Sequence, residues 1–102
     1  MIIRVFRAKV RPGKQAEFEK KVRDLSIPLV KSQRGMLAYY AGRPMESNPD
    51  EFLMVTTWAS LADLRAFTGE NWNRPIVLEE ELPLVEQSFV HHYDVFGSSF
   101  SS

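Results

Sequence analysis

No cysteine occurs among the 102 residues. That excludes a disulfide framework, a thiolate zinc site and a cysteine nucleophile, and it suits a reducing cytoplasm. Net charge is missing as well. Thirteen Lys and Arg stand against thirteen Asp and Glu, which removes the electrostatic term that dominates nucleic-acid binding and leaves no basic patch for anionic lipid. Neither nucleic acid nor membrane is an expected partner. No segment approaches the ~18 apolar residues of a membrane span. The opening MIIRVFRAKV alternates charge with apolar residues where a signal peptide needs an apolar stretch. A Ser-His-Asp arrangement, a phosphate loop and a dinucleotide fingerprint are absent too. The expectation is a soluble cytoplasmic domain over residues 1–96, with GSSFSS at 97–102 as a disordered tail.

Apolar and aromatic residues are plentiful. Hydrophobic types make up 44% and include seven Phe, enough for a single core and for a further buried surface. Residues 2–10 are rich in β-branched and aromatic types and run into the turn Arg11-Pro12-Gly13, which predicts a first strand. From Lys14 the period becomes helical, with Phe18, Val22, Leu25 and Leu29 on one stripe, and Gly35 ends the helix. Pro28 predicts a kink or restart near Ser26, which would cap a final turn. Residues 36–41 and 52–58 read as a hairpin whose loop lies at 44–50. Ser60, with Asp63 three residues on, opens a second amphipathic helix through Leu61, Leu64 and Phe67, stopped by Gly69. Residues 70–85 are irregular, with at most a short helix around 76–82 between Pro75 and Pro83, and residues 86–96 form the last strand.

The order βαββαβ predicts an α+β, ferredoxin-like fold with an antiparallel four-stranded sheet and both helices on one face. Yet both faces of the strands carry large apolar groups. Phe52, Met54, Thr56 and Trp58 share one face and Leu53, Val55 and Thr57 the other. A second copy is the simplest cover for the helix-free face, so a homodimer is expected.

Strand one leading into Pro12-Gly13, the helix ending near Gly35, and Trp58-Ala59-Ser60 leading into Leu61, Ala62 and Leu64 together resemble the antibiotic biosynthesis monooxygenase family. The resemblance spans about residues 2–96 and implies a dimeric α+β barrel. It also implies a cofactor-independent monooxygenase for a small aromatic or quinol-like compound, needing no metal or flavin. The family's cofactor-free oxidases place an Asn four residues before the joint tryptophan and a Tyr six after it, where this chain has Met54 and Leu64. Quinol-oxidising members often have a His nine residues after it, here Phe67. Haem-degrading relatives use an Asn and a His at positions matching Phe6 and Val77, so haem is not expected.

Several residues carry candidate chemistry. Trp58 is either a core plug of the joint or a substrate contact. Arg4 shares a face with Phe6 and either holds a phenolate or carboxylate or snorkels to solvent. His91 and His92 point to opposite faces and cannot share a metal, but His92 has Asp94 on its own face two residues away, a spacing that would orient it as a general base. Trp72 is either a pocket lid or an anchor for its loop. Tyr39, Tyr40 and Tyr93 offer hydroxyls, and Glu79, Glu80 and Glu81 read as a solvated acidic face. The expected site is thus His92 as base, with Arg4, Phe6, Met54, Trp58, Phe67 and Trp72 around a small aromatic ligand. The alternative is a non-enzymatic ligand-binding or stress-related dimer on the same barrel.

Overall fold

The computed structural model describes residues 1–46 and 51–99. The end of the expected 44–50 loop, and residues 100–102 of the expected tail, lie outside the described residues. Four strands, β1 (Ile2–Val10), β2 (Met36–Gly42), β3 (Glu51–Trp58) and β4 (Val85–Asp94), form one sheet in the order β2-β3-β1-β4. All three pairings are antiparallel. This is the expected ferredoxin-like arrangement, with β1 and β3 central because they carry the densest β-branched and aromatic runs.

Register fixes what faces the helices. Arg4 lies opposite Thr56 and His92, Phe6 opposite Met54 and Val90, and Ala8 opposite Phe52 and Ser88. Those even positions on β1 and β3 meet the helices. Ala8, Val10, Phe52, Phe18 and Leu84 make one buried cluster, in which the Phe18 and Phe52 rings meet edge to face at 5.1 Å. The odd positions of β1 and β3 face away, and on that side Tyr40, opposite Val55, is 66% exposed, Tyr93, opposite Ile3, 52% and Leu53 38%.

The first helix is broken rather than merely kinked. It comprises α1 (Gln15–Lys21), a π-turn (Val22–Ser26) and α2 (Ile27–Lys31). Pro28 has no N–H for the carbonyl of Asp24, and its ring crowds that carbonyl. The chain responds by inserting a residue, and the Ile27 N–H reaches back five positions to the Val22 carbonyl. Ser26 makes no cap hydrogen bond as expected of it; its backbone is helical and its side chain turns elsewhere.

The joint after β3 follows the sequence expectation. Ser60 adopts an extended backbone, its Oγ accepts from the Asp63 N–H at 3.1 Å, and α3 (Leu61–Thr68) follows. Asp63 is too short to return to the Ser60 amide as a Glu would, and instead accepts from the Ser60 hydroxyl at 3.0 Å. The short helix expected around 76–82 falls later, as a 3-10 turn at Leu82–Leu84, because Pro83 fits only a first helical turn. The last strand ends at Asp94, two residues early, although the Val95 N–H still bonds the Met1 carbonyl at 3.0 Å. Among the described residues no helix is long and apolar enough to cross a membrane.

Candidate functional site

Between the helix-side face of the sheet and the broken first helix lies a cavity of about 580 Å³, within the usual range for small-molecule sites. Phe6, Met54 and Phe67 supply apolar wall, and Arg4, Tyr39 and Glu81 supply polar groups. The strand residues reach it through the even parity of β1 and β3. Phe67 reaches it from the last turn of α3.

Arg4 is 5% exposed, and its guanidinium is tied on one side. Nη1 donates to the Trp72 carbonyl at 2.6 Å and to His92 Nε2 at 2.9 Å, and Nη2 donates to the Arg74 carbonyl at 3.1 Å. Three bonds use three of its five N–H groups. Nε has no described partner, yet no fully buried side-chain nitrogen or oxygen among the described residues lacks one. That nitrogen therefore keeps some accessible surface, and Arg4 lines the cavity. Burial draws the guanidinium down to about 10, since the charged form is desolvated. At neutral pH it remains a cation.

His92 stands opposite Arg4 in the register, and that pairing replaces the expected one with Asp94. No described hydrogen bond joins His92 to Asp94, which is exposed at the end of β4. Because arginine only donates, Nε2 is the acceptor and the proton of the neutral ring sits on Nδ1. Burial, then the Arg4 charge, then His91, push His92 below its usual range. Its lone pair is engaged, and it is not on the cavity wall.

The two tryptophans lie behind the wall. Trp58 is fully buried, stacks on Phe67 at 5.4 Å and donates from Nε1 to Thr56 Oγ1 at 2.9 Å. Trp72 anchors its segment through the carbonyl bond to Arg4, and its ring meets His92 edge-on at 4.9 Å with the Arg65 guanidinium above it at 5.9 Å. Of the seven expected residues, Arg4, Phe6, Met54 and Phe67 border the cavity directly.

Glu81 is the residue that sequence reasoning missed. Expected on a solvated face, it is 4% exposed, lines the cavity and accepts from the Ser26 hydroxyl at 2.6 Å. The available signal was Pro83, which places Glu81 just before the 3-10 turn and fixes its backbone. At the exposed edge of α1, Glu19 is gripped by Arg43 and Arg23 at 2.7 and 2.9 Å, and these two partners hold its carboxyl down at about 2.

This topology, with an apolar cavity and a buried cation on its wall, defines a ferredoxin-like α+β domain with room for a compact ligand. The model of the antibiotic biosynthesis monooxygenase family matches residues 1–71, and the chain belongs to that family. Solved structures agree on the fold. The NE2512 protein of unknown function from Nitrosomonas europaea is 14% identical with a TM-score of 0.74, covering 99% of this chain and 94% of its own. The cofactor-independent oxygenase SnoaB from Streptomyces nogalater, in a mutant with one asparagine changed to alanine, is 17% identical with a TM-score of 0.71, over 96% of this chain and 95% of its own. The heme degrader MhuD from Mycobacterium tuberculosis, with two hemes bound, is 17% identical with a TM-score of 0.73, over 96% and 98%. No curated protein sequence matches the chain.

The cavity wall tests the haem of that last relative. It carries no histidine: His92 is held by Arg4, and His91 lies opposite Val5 on the helix-free face. The residues present do not supply an imidazole to a haem iron.

Proposed function

We propose that this protein is a homodimeric, cofactor-independent monooxygenase of small, flat aromatic or quinol-like compounds in a reducing cytoplasm. The observation that carries the reading is the buried Arg4 guanidinium on the wall of an aromatic-lined cavity. Such a site favours a ligand that is apolar over most of its surface and anionic at one oxygen. Phe6 and Phe67 would hold the ring, with Met54 filling irregular space between them. Trp58 would stiffen Phe67 from behind, and Trp72 and His92 would keep Arg4 aimed.

Ionisation of a ring CH₂ next to a carbonyl, or of a phenol, makes an electron-rich anion whose oxygen Arg4 would stabilise. Dioxygen is the oxidant. One oxygen atom enters the substrate as a carbonyl and the other leaves as water, which balances the four-electron oxidation of a CH₂. A quinol would instead lose two electrons and two protons, giving quinone and hydrogen peroxide. The protein's share is orientation, anion stabilisation and exclusion of bulk water.

A second reading is supported by Met54, Leu64 and Phe67, none of which supplies the polar group that the resemblance leads one to expect. Under that reading the same dimer binds an aromatic ligand without turning it over. Oxygen uptake with anthrone and a panel of quinols separates the two: a rate above the uncatalysed one supports the monooxygenase. Saturable quenching of tryptophan fluorescence without any uptake supports the binding protein.

A further inference from the structure

We propose that Glu81 is the general base of the cavity, oriented by Ser26, and that the ligand presents its acidic C–H or O–H to this carboxylate while its oxygen faces Arg4. The steps after ionisation rest on the monooxygenase reading, but the proton transfer itself needs no dioxygen.

Four observations converge on Glu81. Its side chain is buried and on the cavity wall. Its backbone is pinned on both sides, by its own N–H to the Leu78 carbonyl at 2.9 Å and by the Leu84 N–H to its carbonyl at 2.9 Å. Its Oε2 accepts from Ser26, whereas Oε1 has no described partner and is not a buried orphan, so Oε1 opens onto accessible space. Among the described residues no cation forms an ion pair with it. A buried carboxylate with one free oxygen and no neutralising partner is a poor stabilising device and a good proton acceptor.

The π-turn has a role here. π-turns inside α-helices frequently mark functional sites, and in this helix the inserted residue follows from Pro28. Ser26 closes that turn and sends its hydroxyl to Glu81 instead of capping. Burial raises Glu81 above the usual carboxylate range. The Ser26 bond works against that, Glu80 adds to it and Lys21 opposes it.

The chemistry balances. The carboxylate takes one proton from the ring CH₂, and the carbanion pair ends in a new carbon–oxygen bond to dioxygen. The proton returns to the distal oxygen, giving a hydroperoxide. The second C–H proton then passes to Glu81, its electron pair becomes the carbonyl π bond, and the O–O bond breaks. The departing hydroxide takes the proton from Glu81 as water.

The test uses the full-length protein with anthrone as probe, under argon and then in air. Under argon, at a pH where free anthrone is neutral, the wild type should show the absorption band of the bound anion, and Glu81→Gln should not while remaining folded by circular dichroism at that pH. In air Glu81→Gln should lose at least 100-fold in turnover, the low end of general-base effects, and Glu81→Asp should recover part of it. Ser26→Ala, which deletes only the orienting bond, should move the acid limb of kcat/KM to higher pH. Absence of the anion band in the wild type, or its persistence in Glu81→Gln, overturns the assignment. Equal oxygen uptake by wild type and Glu81→Gln overturns it too while leaving the monooxygenase standing. An anion band that depends on Glu81, without any uptake in air, supports Glu81 and sinks the oxygenase instead.

Discussion

Replacing Gly35 by alanine should unhinge the strand-to-helix joint. Gly35 has φ +81°, where an L side chain costs about 1–2 kcal/mol. The added Cβ would also sit well inside van der Waals contact of the Asp63 carboxyl and 2.5 Å from Asp63 Cβ. A rotamer change can move a carboxyl but not a Cβ, so α3 itself must shift. Forced overpacking of that kind costs about 1–3 kcal/mol. The Gly35 carbonyl accepts from the Ala59 N–H at 2.8 Å, so the shift would also loosen the bond that ties the first helix's end to the joint. A loss of about 3 kcal/mol should lower Tm by about 12–24 °C for a domain of this size, read by differential scanning calorimetry at one fixed protein concentration because any self-association makes Tm concentration-dependent. Asp63→Ala should not rescue Gly35→Ala, since it keeps the Cβ. In an Asp63→Gly background the same change should cost only the backbone term of about 1–2 kcal/mol. A Gly35→Ala protein within about 1 kcal/mol of wild type, or one rescued by Asp63→Ala, would refute this reasoning.

Other predictions test the assembly and the buried carboxyl. Val5 and Val55 pair at the centre of the helix-free face, so Val55→Asp should convert a sedimenting dimer to a monomer; a wild-type monomer at micromolar concentration would remove the dimer altogether. Glu81 keeps its proton in the folded state at pH values where the unfolded chain has lost it, so its contribution to stability is greatest at acid pH and declines as pH rises from the unfolded value through the folded one. Glu81→Gln should therefore gain stability relative to wild type as pH rises, measured by urea unfolding at several pH values, and a difference independent of pH would show that the carboxyl is not perturbed.

Much of the fold was legible because its signals are local. The Ser60 cap, the Gly69 stop and the alternation on β1 and β3 each depend on neighbours within a turn or a strand. The break in the first helix was half legible: Pro28 announces it, but whether a helix kinks or takes in an extra residue depends on what the next turn packs against. The site was less legible, for the same physical reason. Asp94 lies two residues from His92, yet the partner His92 takes is Arg4, 88 positions away, because cross-strand register outranks same-strand proximity. Glu81 was lost in a run of three glutamates, since only the tertiary fold decides which one turns inward.

The buried groups on the cavity wall argue together against a purely structural role. Arg4 and Glu81 both lie under 6% exposed, both border the same cavity, and no described ion pair links them. Desolvation opposes the charged form of each. Apolar residues of similar volume would serve packing at least as well, and in buried positions such exchanges are often neutral or stabilising. The π-turn that follows from Pro28 brings Ser26 to the same wall. Buried charge without an ion-pair partner, gathered around one cavity, is what functional sites retain against the demands of stability. The buried charged groups of this cavity therefore lie beside the strand-to-helix joint rather than in it. Trp58 and Leu64 have been given over to packing, while Arg4 from the first strand and Glu81 from the last connection supply opposite charges to the same space.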